Sequence, residues 1–398
     1  MSFFESVTQL PDDQILHIPI AFAADPRPNK VNLGIGSYKD HDGKSILLDC
    51  VHKAEISLAN KKLNKEYQPI EGDAEFHRLV TELIFGKDFL DSFTRGLFVA
   101  QSLGGTGALH LGSEFLVQET SKTIFIPSPS WSNHRLIFNR IGLKVHSYRY
   151  FDERTHQIDF NGMCSDISNA PPGSTILLHA GCHNPTGIDP TFEQWKELSV
   201  LIKQQRVIPF FDFAYQGFVS SLEEDALPIR YFASQGHEML VANSFSKNLG
   251  LYGERVGAIS IIAQHPEAAQ KVGSQIKQII RSNYSNPPLH GPRIVTEILS
   301  SETLTAIWHK ELATMRDRIK EMRLALIKGL QTGESLKDWS FLQRQNGFFS
   351  YCGLNPEQVE RLLKEYAIYM PTNGRINVAG LNKHNLDYVI KALIAVTQ

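Results

Sequence analysis

The sequence predicts an α/β protein with a mostly parallel central sheet, helices on both of its faces, and a smaller α+β lobe. Three observations predict it. Short apolar runs alternate with helical segments from about residue 97 to 262. Several of those runs end in glycine or small polar residues, as strands of an open α/β sheet do where they face a ligand. A helical stripe of Trp308, Leu312, Met315, Ile319, Met322 and Leu326 then separates this region from a second set of short elements. A chain of 398 residues exceeds what one core usually supports. The expected division is 1–45 as an N-terminal arm and part of the small domain, 46–305 as the large domain, and 306–398 as the small domain.

In chain order, residues 1–30 hold Pro11, Pro19, Pro26 and Pro28, which break any long helix, so an arm and a loop are expected. Val31 to Gly36 reads as a short strand ending in glycine, where Gly36 lets the backbone approach a ligand closely. A helix is expected from about Val51 to Leu63, a turn-rich loop over 67–72 that carries Tyr67, and a helix from Phe76 to Phe85. Leu97–Gln101 is a strand, and Ala108–Val117 a helix. Between them, Gly104-Gly105-Thr106-Gly107 makes a ready anion site at a helix N-terminus. It lacks the Gly-Lys-Ser/Thr ending of a Walker loop and is not a GxGxxG fingerprint.

Ile124–Ile126 is a strand that opens into Pro127–His134, where Trp131 offers a flat face to an aromatic ring. Strands follow at Lys144–Tyr148 and Thr175–His179. His183-Asn184-Pro185-Thr186-Gly187 leads on to a helix over Phe192–Gln204, and Asn184 brings an amide donor. The apolar strand Val207–Phe211 ends in Asp212-Phe213-Ala214-Tyr215. A carboxylate at that edge needs a cationic partner, and a protonated pyridine nitrogen is one; as a turn former Asp212 needs none. Arg281 ends a helix, where a cation also serves as a cap. The smaller lobe comprises Phe348–Tyr351, a helix over Pro356–Tyr366, Ile376–Val378 just after Arg375, and a helix over Asn385–Val396.

The centre of the chain is Asn243–Gly257. The buried strand Met239–Ala242 runs into Ser244, Ser246 and Lys247, and Arg255 follows one short loop later. Hydroxyls and backbone amides after a buried strand can hold an anion, and a guanidinium suits phosphate. An amine beside a phosphate cradle points to a Schiff-base lysine holding pyridoxal 5'-phosphate. A lone lysine in a polar loop is ordinarily a solvated charge, so the assignment leans on the other strand-end loops.

Composition narrows the alternatives. Hydrophobic content of 42%, charged content of 21% and a formal net charge of −2 leave no basic face for nucleic acid or an anionic membrane. No apolar run approaches the ~20 residues of a membrane helix. Met1–Asp13 carries Glu5, Asp12 and Asp13 and does not read as a signal peptide. A soluble, cytoplasmic protein is expected. Cys50, Cys164, Cys182 and Cys352 are scattered, so reduced thiols and no metal site are expected.

Taken together, Ser-Phe-Ser-Lys-Asn at 244–248 with Arg255, Asp-Phe-Ala-Tyr-Gln-Gly at 212–217, His-Asn-Pro-Thr-Gly at 183–187, Gly-Gly-Thr-Gly at 104–107 and Gly-Arg-Ile-Asn-Val-Ala-Gly at 374–380 resemble the class I aminotransferases, in the branch of the aspartate and aromatic enzymes. The likeness runs in order from about Asp25 to the C-terminus. It implies fold type I of the pyridoxal-phosphate enzymes, with a seven-stranded type of central sheet, and a homodimer with shared active sites.

It also implies roles. Lys247 holds the cofactor covalently and then moves the substrate proton, and Asp212 keeps the pyridine nitrogen protonated. Tyr215 and Asn184 face the ring oxygen, and Trp131 stacks on the ring. Gly105, Thr106, Ser244, Ser246 and Arg255 hold the phosphate, with Tyr67 reaching over from the neighbouring subunit. Arg375 binds the substrate α-carboxylate, with Gly36 and Trp131 nearby. Arg281, in Arg-Ser-Asn-Tyr-Ser-Asn-Pro-Pro, matches the family arginine that takes a side-chain carboxylate across the dimer. The implied substrates are amino acids and 2-oxo acids, with aspartate and 2-oxoglutarate first; Thr106 and Asn286 look like the aspartate-preferring members. Ser37, where valine or leucine is common, and Glu66 depart from the pattern and leave aromatic substrates open.

Overall fold

The computed structural model describes residues 2–13, 15–89, 93–333 and 335–398. At its centre are seven strands: β1 (Gly96–Leu103), β2 (Thr123–Ser128), β3 (Lys144–Arg149), β4 (Thr175–His179), β5 (Ile208–Phe213), β6 (Met239–Ser244) and β7 (Val256–Ala263). Their spatial order is β1-β7-β6-β5-β4-β2-β3. β7 is antiparallel to β1 and to β6, and every other pairing is parallel. The expected mostly parallel sheet is present, with one reversed strand. Because both neighbours of β7 oppose it, the C-terminal ends of β1, β4, β5 and β6 share one edge.

β4, β6 and β7 are buried at every position, which is why they read as continuous apolar runs. Consecutive residues still face opposite sides. Phe210 and Leu240 pack with Leu109 and Ile276 on one face of the sheet. Phe211 and Val241 pack with Trp195 and Phe232 on the other.

The helix Glu302–Thr332 buries the whole predicted stripe, and with it Arg318 and Arg323. Those two guanidiniums are spent mainly on backbone carbonyls: Arg318 donates to Asp40, Ala379 and Leu381, and Arg323 to Gly347 and Phe349 and also to Ser350 Oγ. The helix thereby ties the N-terminal segment to the later strands. Val31–Asn32 pairs in parallel with Ile368–Tyr369, and Phe349–Tyr351 pairs antiparallel with Arg375–Asn377.

One expectation needs correction. Residues His17–Ala24 form a helix rather than an irregular arm. Pro19 sits in its first turn, where the missing N–H has no intrahelical partner to lose. The Asp13 side chain accepts from the Ile15 and Leu16 amides, and Ile18 is buried with Ala367 and Tyr369. The strand carrying Asp212 also runs two residues further than expected, to Phe213. No helix among the described residues is long and apolar enough to cross a membrane. All four cysteines are free.

Candidate active site

A cavity of about 250 Å³ opens at the shared strand edge. Twelve of the residues singled out in the sequence line it: Gly36, Gly105, Thr106, Trp131, Asn184, Asp212, Tyr215, Ser244, Ser246, Lys247, Arg255 and Arg375. They come from five strand-end loops and from the smaller set of strands. Tyr67 and Arg281 do not line it. Tyr67 is 88% exposed, and Arg281 is an exposed side chain that donates to Ser285 Oγ. Ser37 lies outside as well, behind Gly36, where its carbonyl accepts from Asn377 Nδ2.

One end of the cavity is a cup for an anion. The helix Gly104–Glu119 starts there with no side chain capping its free amides. Ser244 Oγ and Ser246 Oγ lie 3.1 Å apart, and Arg255 Nη1 donates to Ser246 Oγ at 3.3 Å. Gly104 has φ +68, and a Cβ on it would stand 2.6 Å from Arg255 Nη2. Only glycine leaves the guanidinium that place. This donor set fits a phosphate ester.

At the other end lies a half-buried carboxylate, 11% exposed. His134 Nε2 donates to Asp212 Oδ2 at 2.9 Å, and Ser130 Oγ meets His134 Nδ1 at 2.9 Å. Burial alone would raise the Asp212 carboxyl; the hydrogen bond and electrostatic pull of His134, then of His179 and Lys247, outweigh it and hold it below the usual range. An ionised carboxylate facing a cavity suits a protonated ring nitrogen. Burial and then His134 push His179 down to about 3, so it stays neutral. Among the described residues, His134, His179 and Asp212 are the one such group whose ligand atoms converge, within 4.8 Å of one another. The hydrogen bond between His134 and Asp212 uses a contact that a metal would need.

Lys247 Nζ lies between the two ends, 5.2 Å from the centre of the Tyr215 ring. Burial pushes its amine down to about 8, with Arg255 and Arg375 adding to the fall and Asp212 opposing it. An amine in that range is a nucleophile near neutral pH. The Tyr215 phenol is raised, chiefly by burial, and stays protonated. Arg375 is 3% exposed, with Nη1 on Asn184 Oδ1 at 3.1 Å and Nη2 on the Gly34 carbonyl. Its Nε has no partner, and its guanidinium stands 4.1 Å over the Phe349 ring. A Cβ on Gly36 would lie 2.7 Å from Phe349 Cζ, so Gly36 makes room for that ring. Arg375 borders the cavity, and a guanidinium there is a place for a carboxylate.

His134, His179, Tyr252 and Phe349 are site residues that the sequence reading did not single out. His179 was legible in principle, since it ends β4 and stands opposite Asp212 in register. His134 was not, because its helix brings it to Asp212 across 78 residues of chain.

The comparisons agree with this geometry. The family model for aminotransferase class I and II matches residues 28–393. The chain is 46% identical over 394 residues to aspartate aminotransferase of Escherichia coli (strain K12), covering 99% of this chain and 100% of that protein. Among solved structures, it is similar to an aromatic-amino-acid aminotransferase from Burkholderia pseudomallei covalently bound to pyridoxal phosphate, with TM-score 0.97, 45% identity and 100% of each chain covered. The cytoplasmic aspartate aminotransferase of Saccharomyces cerevisiae matches with TM-score 0.96 and 38% identity over 99% of this chain and 98% of that one. By sequence, fold and the residues gathered at its strand edge, this chain belongs to the class I and II aminotransferase family.

Proposed function

We propose that this protein is an aspartate aminotransferase. It transfers an amino group reversibly between L-aspartate and 2-oxoglutarate, giving oxaloacetate and L-glutamate, in two half-reactions at one site. The full-length identity to the Escherichia coli enzyme supports the substrate, and the convergence of Lys247, Asp212 and the anion cup carries the chemistry. The cofactor is pyridoxal 5'-phosphate. When bound, it supplies an aldehyde for the amine and a protonated ring that takes up the electron pair left at the substrate Cα.

The chain's own residues do the rest. Gly105, Thr106, Ser244, Ser246 and Arg255 hold the phosphate, and Asp212, backed by His134, holds the ring nitrogen's proton. Asn184 and Tyr215 would hold the ring oxygen, and Trp131 would stack on the ring. Lys247 anchors the cofactor and then carries the proton to and from Cα as general base and acid. Arg375, which lines the cavity, clamps the substrate α-carboxylate with its guanidinium. Tyr67 and Arg281, exposed on one chain, act in the site of a second copy, so the working unit is a cytoplasmic homodimer. The large domain that binds the cofactor is read as 46–305, and the flanking segments form the small domain.

An aromatic-preferring transaminase is the second reading. The cavity has an apolar rim of Ile15, Leu16, Ile35 and Phe349, which an aromatic ring would fill. Coupled assays with aspartate and with phenylalanine, each with 2-oxoglutarate, separate the two. Higher kcat/KM for aspartate is expected; a clear excess for phenylalanine overturns the first reading. Borohydride treatment followed by peptide mapping should leave a pyridoxyl group on Lys247 and nowhere else.

A further inference from the structure

Behind the active site lies a second cavity, of about 220 Å³, bordered by Ala180, Gly181, Asp189, Val219, Ser220 and Asp225. Gly181 borders both cavities, so the second one sits directly under the loops that carry Asn184 and Tyr215. Its two aspartates do the same job on different loops. Asp189 accepts from two consecutive amides, Cys182 through Oδ2 and His183 through Oδ1, both at 2.9 Å. Asp225 accepts from Gly217 at 2.8 Å and Val219 at 3.0 Å through Oδ2, and from Ser220 at 2.9 Å through Oδ1.

Each set of amides is next to a site residue. Cys182 and His183 immediately precede Asn184, whereas Gly217, Val219 and Ser220 follow Tyr215. The clasped backbone is in the left-handed region on both loops: Cys182 has φ +53 and Gly217, which as glycine takes it freely, φ +94. For a residue with a side chain, the left-handed region is unfavourable unless its surroundings hold it there. No ion pair to either aspartate is present among the described residues. Burial raises both carboxyls, and Asp225 raises Asp189 further, up to about 6. A pair of neighbouring carboxylates without an ion-pair partner is expensive to keep. A carboxylate offers acceptors only, whereas an amide of the same shape would turn a donor toward one of these N–H groups.

We propose that Asp189 and Asp225 are positioning residues, one behind each of the two side chains that face the cofactor ring oxygen. Asp189 fixes the Asn184 amide where Arg375 Nη1 reaches it at 3.1 Å. Asp225 fixes the turn that follows Tyr215, in which the Phe218 amide donates to the Tyr215 carbonyl. This inference rests on the roles given to Asn184 and Tyr215 above.

The test uses the full chain loaded with cofactor. D189N, D225N and N184A are compared by thermal melting, by succinate affinity, and by the pH midpoint of the cofactor's visible absorbance band. Both aspartate variants should move the midpoint. Only D189N should weaken succinate, by about fivefold, the worth of one hydrogen bond, because only Asn184 is tied to Arg375. In an N184A background, D189N should add no further loss. Lowered melting with wild-type midpoints and wild-type succinate affinity would make both aspartates purely structural and overturn the proposal. Should D189N fail to fold, D189E keeps the charge but sets it one methylene out; wild-type succinate affinity in D189E overturns the proposal equally. An N184A variant with unchanged affinity and midpoint would instead remove the site reading itself.

Discussion

The inner and outer halves of the site are built differently. The inner half (Asp212, Lys247, Asn184, Tyr215 and Arg375) is assembled within one chain, mostly at strand ends, and its polar groups are buried or half-buried. The outer half proposed above, Tyr67 and Arg281, stands on the surface of the same chain and touches none of that machinery. Buried charge must be matched where it lies, so the inner half is complete before any partner arrives. Exposed charge carries no such demand, and the outer half can wait for a second copy. Specificity for a second carboxylate would then depend on assembly, whereas the chemistry would not.

The sharpest way to break this contrast is at the buried end. Asp212→Asn removes the negative charge but keeps the shape, leaving His134 to face a neutral amide. With a preorganised charge removed from a water-poor site, kcat should fall by about 10² to 10³. The loss should be equal for aspartate and phenylalanine, because both use the same ring nitrogen. Steady-state kinetics on the two substrates checks this; a loss confined to one of them would show that Asp212 belongs to substrate choice instead.

Arg281→Ala tests the other half. If Arg281 meets the side-chain carboxylate of a bound dicarboxylic substrate, truncating it leaves a charge unpaired, and kcat/KM for aspartate should drop by about 10². For phenylalanine the change should stay within about threefold, since no charge is lost there. Equal losses would place Arg281 in the general machinery. Sedimentation adds a second check: an assembled site requires a species of twice the 44.8 kDa chain mass, and aspartate activity per chain should decline on dilution below the dissociation constant of the dimer.

How much of this was legible in the sequence follows from the same division. Lys247, Asp212 and the glycines at 104–107 sit at strand ends, where a change from apolar to polar composition marks the sheet edge. Local pattern therefore placed them. The helix His17–Ala24 was missed because four prolines suggested irregularity, while its stability comes from Ile18 packing on Ala367 and Tyr369, more than 300 residues away. His134 was missed for a similar reason: its value lies in a contact with β5 that no local spacing encodes. Arg318 and Arg323 sit on a helix that reads as amphipathic, yet both are buried, since their partners are carbonyls of distant loops. Long-range satisfaction of polar groups is what pattern reading cannot see.

The smallest expected effect concerns Lys247 alone. Burial, with Arg255 and Arg375 nearby, lowers its amine from the usual lysine range to about 8, and Asp212 pulls the other way. Only the neutral amine attacks an aldehyde. With cofactor-free chain, the rate of attachment of pyridoxal phosphate should rise about tenfold per pH unit while the ammonium form dominates. It should level off above about pH 8. A lysine with an ordinary pKa would keep climbing to about pH 10. Stopped-flow absorbance across pH 6 to 10 reads the break. In Asp212→Asn the opposing charge is gone, so the break should move to lower pH; in Arg375→Ala it should move up. If neither variant moves it, the inner half is not electrostatically coupled, and desolvation by itself sets the reactivity of the lysine.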